Sequence, residues 1–291
     1  NAGGAWSPIG DVTTIMLWIG GQVTTLNIIL MVFLPSLITM IVPLVILTFI
    51  MKGNIERPKV KEDDHEFTTK KERIFILCFG VGALLFVPVF KTITHLPPYL
   101  GMLFGLGTLW VITEIMHRDK VIGHKKHLKV TSILGKVDVP TVLFFLGILS
   151  AVAALQSAGH LDVLAHWLDE NLGNIFLIDL AIGILSSIVD NVPLVAGAMG
   201  MYETVSPEML AVAANPEYMQ MFAVDGLFWE FLAYCAGTGG SILIIGSAAG
   251  VAAMGLEKID FIWYLRKISL LALLGYLGGA GAYYLQSVLL H

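Results

Sequence analysis

Residues 186–197 read Ser-Ser-Ile-Val-Asp-Asn-Val-Pro-Leu-Val-Ala-Gly, between apolar runs long enough to lie in a bilayer. A carboxylate at that depth costs roughly 3 kcal/mol on insertion scales, so Asp190 is a functional residue by default. Pro193 lacks a backbone donor and disfavours helix at Val192. The helix is therefore expected to break beside Asp190 and Asn191. Bare backbone in a membrane is tolerated only where protein or a water-filled cavity surrounds it. An acid, an amide and a broken helix at membrane depth are the parts of an ion site.

Working outward, 56% of the 291 residues are hydrophobic and 13% charged. Soluble domains carry about 25% charged residues. The chain is expected to be an all-α, polytopic membrane protein. Apolar stretches run over 26–50, 75–91, 97–116, 139–157, 218–255 (interrupted) and 262–290. The stretch 174–202 is broken at its centre, and 158–173 reads as an amphipathic interfacial helix with Leu161, Leu164, Ala165, Trp167 and Leu168 on one face.

Of the 17 Lys and Arg residues, seven lie in 51–73 and six in 117–138, which makes both loops cytoplasmic. If 174–202 crossed fully, Lys258, Arg266 and Lys267 would fall outside. If it enters and returns on one side, all three fall inside. The charges therefore favour a re-entrant hairpin with Asp190 and Asn191 at its tip.

Gly3, Gly4, Ile9 and Gly10 match Gly239, Gly240, Ile245 and Gly246 at a constant offset of 236 residues, which also lays 262–286 over 26–50. Loop charges give the copies opposite orientation, the mark of an inverted-repeat transporter. The expected division is 1–50 as the end of a first repeat, 51–73 as a cytoplasmic linker, and 74–291 as a second repeat with hairpin 174–202 and broken helix 218–255. The chain opens at Asn1 without methionine. The repeat predicts a twin of Asp190 about 46 residues upstream, in an intact protein of ~450 or more residues.

The second break is Gly237-Thr238-Gly239-Gly240-Ser241. Its glycines expose backbone groups, and Thr238 and Ser241 add hydroxyls. Ser247-Ala248-Ala249-Gly250 reads as close packing of small residues. The first-copy equivalent, Asn1 to Thr14, contributes Asn1, Asp11, Thr13 and Thr14, with Asp11 as a membrane acid or a helix cap. Glu230, between Trp229 and Phe231, is a candidate proton carrier or a structural acid. Asp225 and Asp179 are expected at the interface.

Cys78 and Cys235 read as packing residues. The eight histidines lie in loops, at the interface or at the terminus. No Gly-x-Ser-x-Gly, Walker loop or His-Glu-x-x-His occurs, and Ser241 has no histidine at membrane depth to activate it. An enzyme is not expected, nor is a cofactor.

Asn1 to Thr14, Ser186 to Tyr202 and Gly237 to Gly250 together resemble the NhaD-type sodium/proton antiporters of the ion-transporter superfamily. The resemblance covers essentially the whole chain as the C-terminal three-fifths of such a protein. It implies two inverted repeats, each with a hairpin and a broken helix, usually in a homodimer. It implies roles for Asp190 and Asn191, with Ser186 nearby, and for Asn1, Asp11, Thr13 and Thr14. Dicarboxylate carriers of the superfamily typically have neutral Ser-Asn-Thr tips, so an acid at 190 favours a cation over the alternative, a dicarboxylate or oxyanion. The expected partners are Na+ or Li+, H+ and the bilayer, with no nucleic acid. The expected setting is a bacterial inner membrane. Asp190 and Asn191 are the expected Na+ ligands, with Ser186, Thr238 and Ser241 supplying neutral oxygens and H+ competing for the same carboxylate.

Overall fold

The structure is a computed structural model that describes residues 1–50, 68–118, 134–135 and 139–290. Most of the two cationic loops, including His124-Lys125-Lys126-His127, lies outside the described residues. The described residues are helical and contain no strand, with one isolated bridge from Val205 to Ala223. In order the helices are α1 (Ala2–Ala5), α2 (Val12–Gly20), α3 (Thr25–Ile50), α4 (Lys70–Thr94), α5 (Pro98–Met116), α6 (Val139–Ser157), α7 (His160–Leu172) and α8 (Ile175–Leu185). There follow α9 (Asn191–Met201), α10 (Pro207–Ala211), α11 (Pro216–Gln220), α12 (Leu227–Gly239), α13 (Ala248–Leu256), α14 (Phe261–Lys267) and α15 (Ser269–Leu290).

Three of these, α3, α4 and α5, are long and apolar enough to cross a membrane, and two bent pairs raise the number to five if each is one span. The pairs are α6 with α7, bent by 76°, and α14 with α15, bent by 54°. The chain divides into two compact units, 53–144 and the remainder. In the smaller unit α4 starts on a capping box, Thr69 with Glu72, which satisfies two orphan N–H groups. Glycines bring α5 onto α4. A Cβ at Gly101 would lie 3.0 Å from the Phe90 ring, and one at Gly105 would lie 3.0 Å from Ala83.

The larger unit is organised around α12, where every residue from Phe228 to Gly239 is buried. Helix α8 packs along it, and α3, α15, α1 and α2 also touch it. Pro35 and Pro43 stand inside α3, each freeing the carbonyl four residues earlier. Gln286 of α15 donates to the freed Met31 carbonyl at 3.1 Å, and Gly275 of α15 seats against the freed Thr39 carbonyl.

The expected break at 186–190 is present, but proline is not its cause. Val192 is helical, and Pro193 sits at the third position of α9, where no N–H needs an intrahelical partner. Asp190 caps the helix instead, its Oδ1 accepting from the Val192 N–H at 3.0 Å. At 11 residues each, α8 and α9 are half-length helices. Both open ends of this segment meet α7: α8 starts three residues after it, while Gly200 seats on Leu161 and the Tyr202 hydroxyl reaches Asp169.

One expectation needs correction. The broken helix begins at Leu227 rather than near 218, because Pro216–Gln220 is a separate short helix and Asp225 has a positive φ of 59° that turns the chain. On α7 only part of the expected apolar face packs on protein. Leu161 and Ala165 are buried, while Leu164 and Trp167 are exposed.

One cluster outside the spans carries a prediction. Asp169 Oδ1 accepts from the hydroxyls of Tyr202 (3.0 Å) and Tyr218 (3.1 Å), tying α7 to the hairpin end and to α11. Burial, then the Asp169 charge and hydrogen bond, push the Tyr218 hydroxyl up to about 12. A raised acid favours the neutral form when folded, so this contribution is complete below about pH 10 and is lost as pH climbs toward 12. Tyr218→Phe is expected to lower stability at pH 8 by about 1 kcal/mol, allowing for partial exposure. The gap to wild type should close between pH 10 and 12 in thermal melts, and a pH-independent gap would refute the assignment.

Candidate functional site

The site forms where three chain breaks meet: 6–11 between α1 and α2, 186–190 between α8 and α9, and 240–247 between α12 and α13. The first and third fold alike. A Cβ at Gly4 would lie 2.4 Å from the Gly10 carbonyl, and a Cβ at Gly240 would lie 2.8 Å from the Gly246 carbonyl. These are the same contact, 236 residues apart. Helix α2 (12–20) maps exactly on α13 (248–256) at that offset, and α3 and α14 start at 25 and 261.

The breaks also touch reciprocally. The Asn1 amide donates to Ser241 Oγ and to Ser247 Oγ, each at 2.9 Å. In the equivalent positions, a Cβ at Gly237 would lie 2.9 Å from Ala5 Cβ and 3.3 Å from Asp11 Oδ2. Contact of i with j′ matched by i′ with j is the pattern of a two-fold axis. The long helices repeat it. Gly275 meets Thr39, its own equivalent, and the Gly275–Pro43 contact is matched by Gly279–Thr39. Met31 pairs with Gln286 while Pro43 pairs with Gly275, so α3 and α15 run antiparallel.

The polar groups gather as follows. Asp11 is the N-cap residue of α2, and Thr13 donates its hydroxyl to Asp11 Oδ2. Thr13 and Thr14 are fully buried, and Thr14 bonds to the Ala5 carbonyl at 2.9 Å, bridging α2 to α1. Ser186, fully buried, donates to the carbonyls of Gly183 (2.9 Å) and Ala236 (3.3 Å), joining the hairpin to α12. Thr238 is buried and its hydroxyl bonds to the Tyr234 carbonyl at 2.6 Å. Asn191 is buried in the first turn of α9. A cavity of about 230 Å³ lined by Asn1, Ser241, Gly250 and Tyr264 opens at the first and third breaks.

Thus Asn1, Asp11, Thr13, Ser186, Thr238 and Ser241 come together around the breaks. Asp190 and Asn191 lie on the same hairpin turn as Ser186, and α9 packs on α2 with Gly20 against Met199. Glu230 is engaged elsewhere. It is buried, accepting from Asn27 of α3 and from the Tyr283 hydroxyl of α15 (2.6 Å). Asp225 holds the start of α3 through the Thr24 N–H and hydroxyl.

Two residues escaped the sequence reading. Ser247, taken as packing, accepts from Asn1 and caps α13 through the Gly250 N–H. The repeat held the signal, since Ser247 is the equivalent of Asp11. Asp179, expected at the interface, is fully buried. An apolar helix shows no polar face from which its buried side could be read.

Half-length apolar helices joined by capped breaks, with buried oxygens at the breaks, define an all-α polytopic membrane protein with discontinuous helices. Residues 1–223 match the citrate transporter family, CitMHS, and the chain belongs to that family as an integral membrane protein. Sodium/proton antiporter 1 of Arabidopsis thaliana is 48% identical over 97% of this chain and 46% of its own length. Sodium/proton antiporter 2 of the same plant is 43% identical over 97% of this chain and 64% of its own. The Na(+)/H(+) antiporter NhaD of Alkalimonas amylolytica is 30% identical over 89% and 53%. The chain therefore spans about half to two-thirds of the length of these relatives. No solved structure matches.

Proposed function

We propose that the protein containing this chain exchanges Na+, or Li+, for H+ across a membrane. The reciprocal meeting of the two broken helices carries the reading. It gathers Asp11, Asn1, Thr13, Ser241 and Ser247 into one oxygen-rich cluster against the hairpin that bears Asp190 and Asn191. Na+ is a hard cation that takes oxygen ligands, and this cluster offers carboxylates, an amide, hydroxyls and helix-end carbonyls. Asp190 and Asn191 are the proposed Na+ ligands, with Ser186, Thr238 and Ser241 as neutral oxygens. Asp11 is the second acid, with Asn1, Thr13 and Thr14 beside it. A carboxylate that must hold either H+ or Na+ before it moves gives exchange, because an empty site would carry an uncompensated buried charge. Glu230 is proposed only as a remote proton-coupling group, since its partners lie on α3 and α15.

The reciprocal contacts and antiparallel α3 and α15 support an inverted repeat, divided as 1–50, a 51–73 linker and 74–291. Both ends of 174–202 meeting α7 supports the re-entrant reading. Alternating access, with the hairpins as moving parts, and a homodimer belong to this proposal. The bacterial relatives carry the expectation of a bacterial inner membrane. The higher identity to the two Arabidopsis proteins moves the proposed setting toward a plant-type membrane.

The alternative, a dicarboxylate or oxyanion carrier, is supported by the description of the family. In such a carrier the helix N-termini at the breaks would hold the anion. Here those of α2 and α9 already carry the protein's own acids, Asp11 and Asp190, as N-cap residues, which favours a cation. A Na+ pulse to vesicles holding the full-length protein, with a pH dye and no added organic anion, is expected to give saturable proton release. Proton movement or Na+ uptake only after a carboxylate is added would establish the alternative.

A further inference from the structure

Asp179 lies in the first half of α8, away from the breaks. It is fully buried, and among the described residues neither carboxyl oxygen has a hydrogen-bond partner. Its surroundings are set by three packed elements. Cys235 comes from α12, Tyr276 and Tyr283 from α15, and Tyr202 from the end of α9, and each interacts with it electrostatically. Beyond these, α7 presents Asp169, held by the Tyr202 hydroxyl, and α12 presents Glu230, held by the Tyr283 hydroxyl. All of these groups are acids, and none supplies a positive charge. The Tyr276 hydroxyl is turned to the Leu180 carbonyl at 3.1 Å.

An ionised carboxylate sealed among such groups with no donor is too costly to persist, and burial resolves the cost by neutralising it. A buried carboxyl of this kind inside a membrane protein is a functional candidate. We propose that Asp179 is a second proton-binding site, holding H+ at the seal between α8 and α12 in this conformation and releasing it when the hairpin leaves α12. The seal is tight enough to act as a gate. A Cβ at Gly183, one turn further along α8, would lie 2.1 Å from the Tyr276 hydroxyl and 2.8 Å from the Cys235 carbonyl. Any separation of these helices admits water to Asp179. The site is distinct from the cation cluster; its protonation does not depend on which ion that cluster carries, while its release by Na+ rests on the proposed function.

Infrared spectra of the full-length protein in lipid vesicles at pH 7 test this directly. Wild type minus Asp179→Asn is expected to contain the C=O stretch of a protonated carboxyl, sensitive to H/D exchange. A difference confined to ionised-carboxylate bands overturns the proposal. Should Asp179→Asn fail to accumulate, Asp179→Glu displaces the same band and serves in its place. Saturating Na+ is expected to diminish the band in wild type, and an unchanged band would make Asp179 a static neutral acid and overturn its release. Asp179→Asn should also melt no lower than wild type, because the amide replaces an equally neutral group, while its exchange shifts along the pH axis. Loss of Na+/H+ exchange in wild type would sink the proposed function yet leave the infrared result standing.

Discussion

Gly246→Ala is expected to yield little folded protein. A Cβ there would lie 1.9 Å from the Ser186 carbonyl oxygen and 2.7 Å from the Ser187 backbone. Both neighbours are main chain, so no rotamer change can relieve the contact, and the whole hairpin tip must retreat. Inserting a methyl group into a packed core costs about 1–3 kcal/mol where side chains can give, and a backbone partner places this site at or above the top of that range. Retreat of the tip also withdraws Ser186 from the Ala236 carbonyl, so any protein that does fold should lose transport as well. Gly197→Ala is the matched control, in the middle of α9 with open space around it. Alanine there should stabilise the helix by about 0.5–1 kcal/mol. Melting temperatures and folded yield in detergent separate the two variants. Equal behaviour would show that the tip does not seat on the third break.

The architecture was legible wherever hydropathy or repetition carried it. Helices α3, α4, α5 and α6 lie within a few residues of the expected stretches, because the length of an apolar run is a direct signal. The offset of 236 located both breaks, because glycines that let backbone pack on backbone leave their mark in the sequence. The breaks' own chemistry was harder to read. Pro193 is read as a breaker only if the chain needs its missing donor, and at the third helical position it does not. Asp190 was read as an ion-site acid beside the break, and its part as the cap that starts α9 was not. Asp179 and Ser247 were missed for related reasons. In an apolar helix the protein-facing side is as hydrophobic as the lipid-facing side, so periodicity cannot tell them apart. A single serine among alanines looks like packing until a repeat pairs it with Asp11. Asp225 and the start of α12 turned on one positive φ at a non-glycine residue, which composition does not reveal.

Asp190→Asn is expected to abolish Na+-dependent proton exchange while leaving the fold intact, and the cap explains why one substitution can do both. The Asp190 side chain does two things at once. Its Oδ1 holds the Val192 N–H at 3.0 Å, starting α9, and in the proposed function the same carboxylate balances the cation. Asparagine caps a helix about as well as aspartate, so the first role survives and stability should change by less than about 0.5 kcal/mol. The second role does not survive, because an amide neither carries a proton nor balances a cation. A unit charge about 4 Å from a cation is worth about 4 kcal/mol at an effective dielectric constant of 20. The expected loss of Na+ affinity is therefore about a thousandfold. The readout is proton flux after a Na+ pulse, alongside a melting curve of the same preparation. A normal melt with absent flux supports Asp190 as the shared carboxylate. Full flux with a normal melt removes Asp190 from the mechanism and transfers the role to Asp11, the N-cap acid at the first break, where Asp11→Asn would then have to abolish exchange.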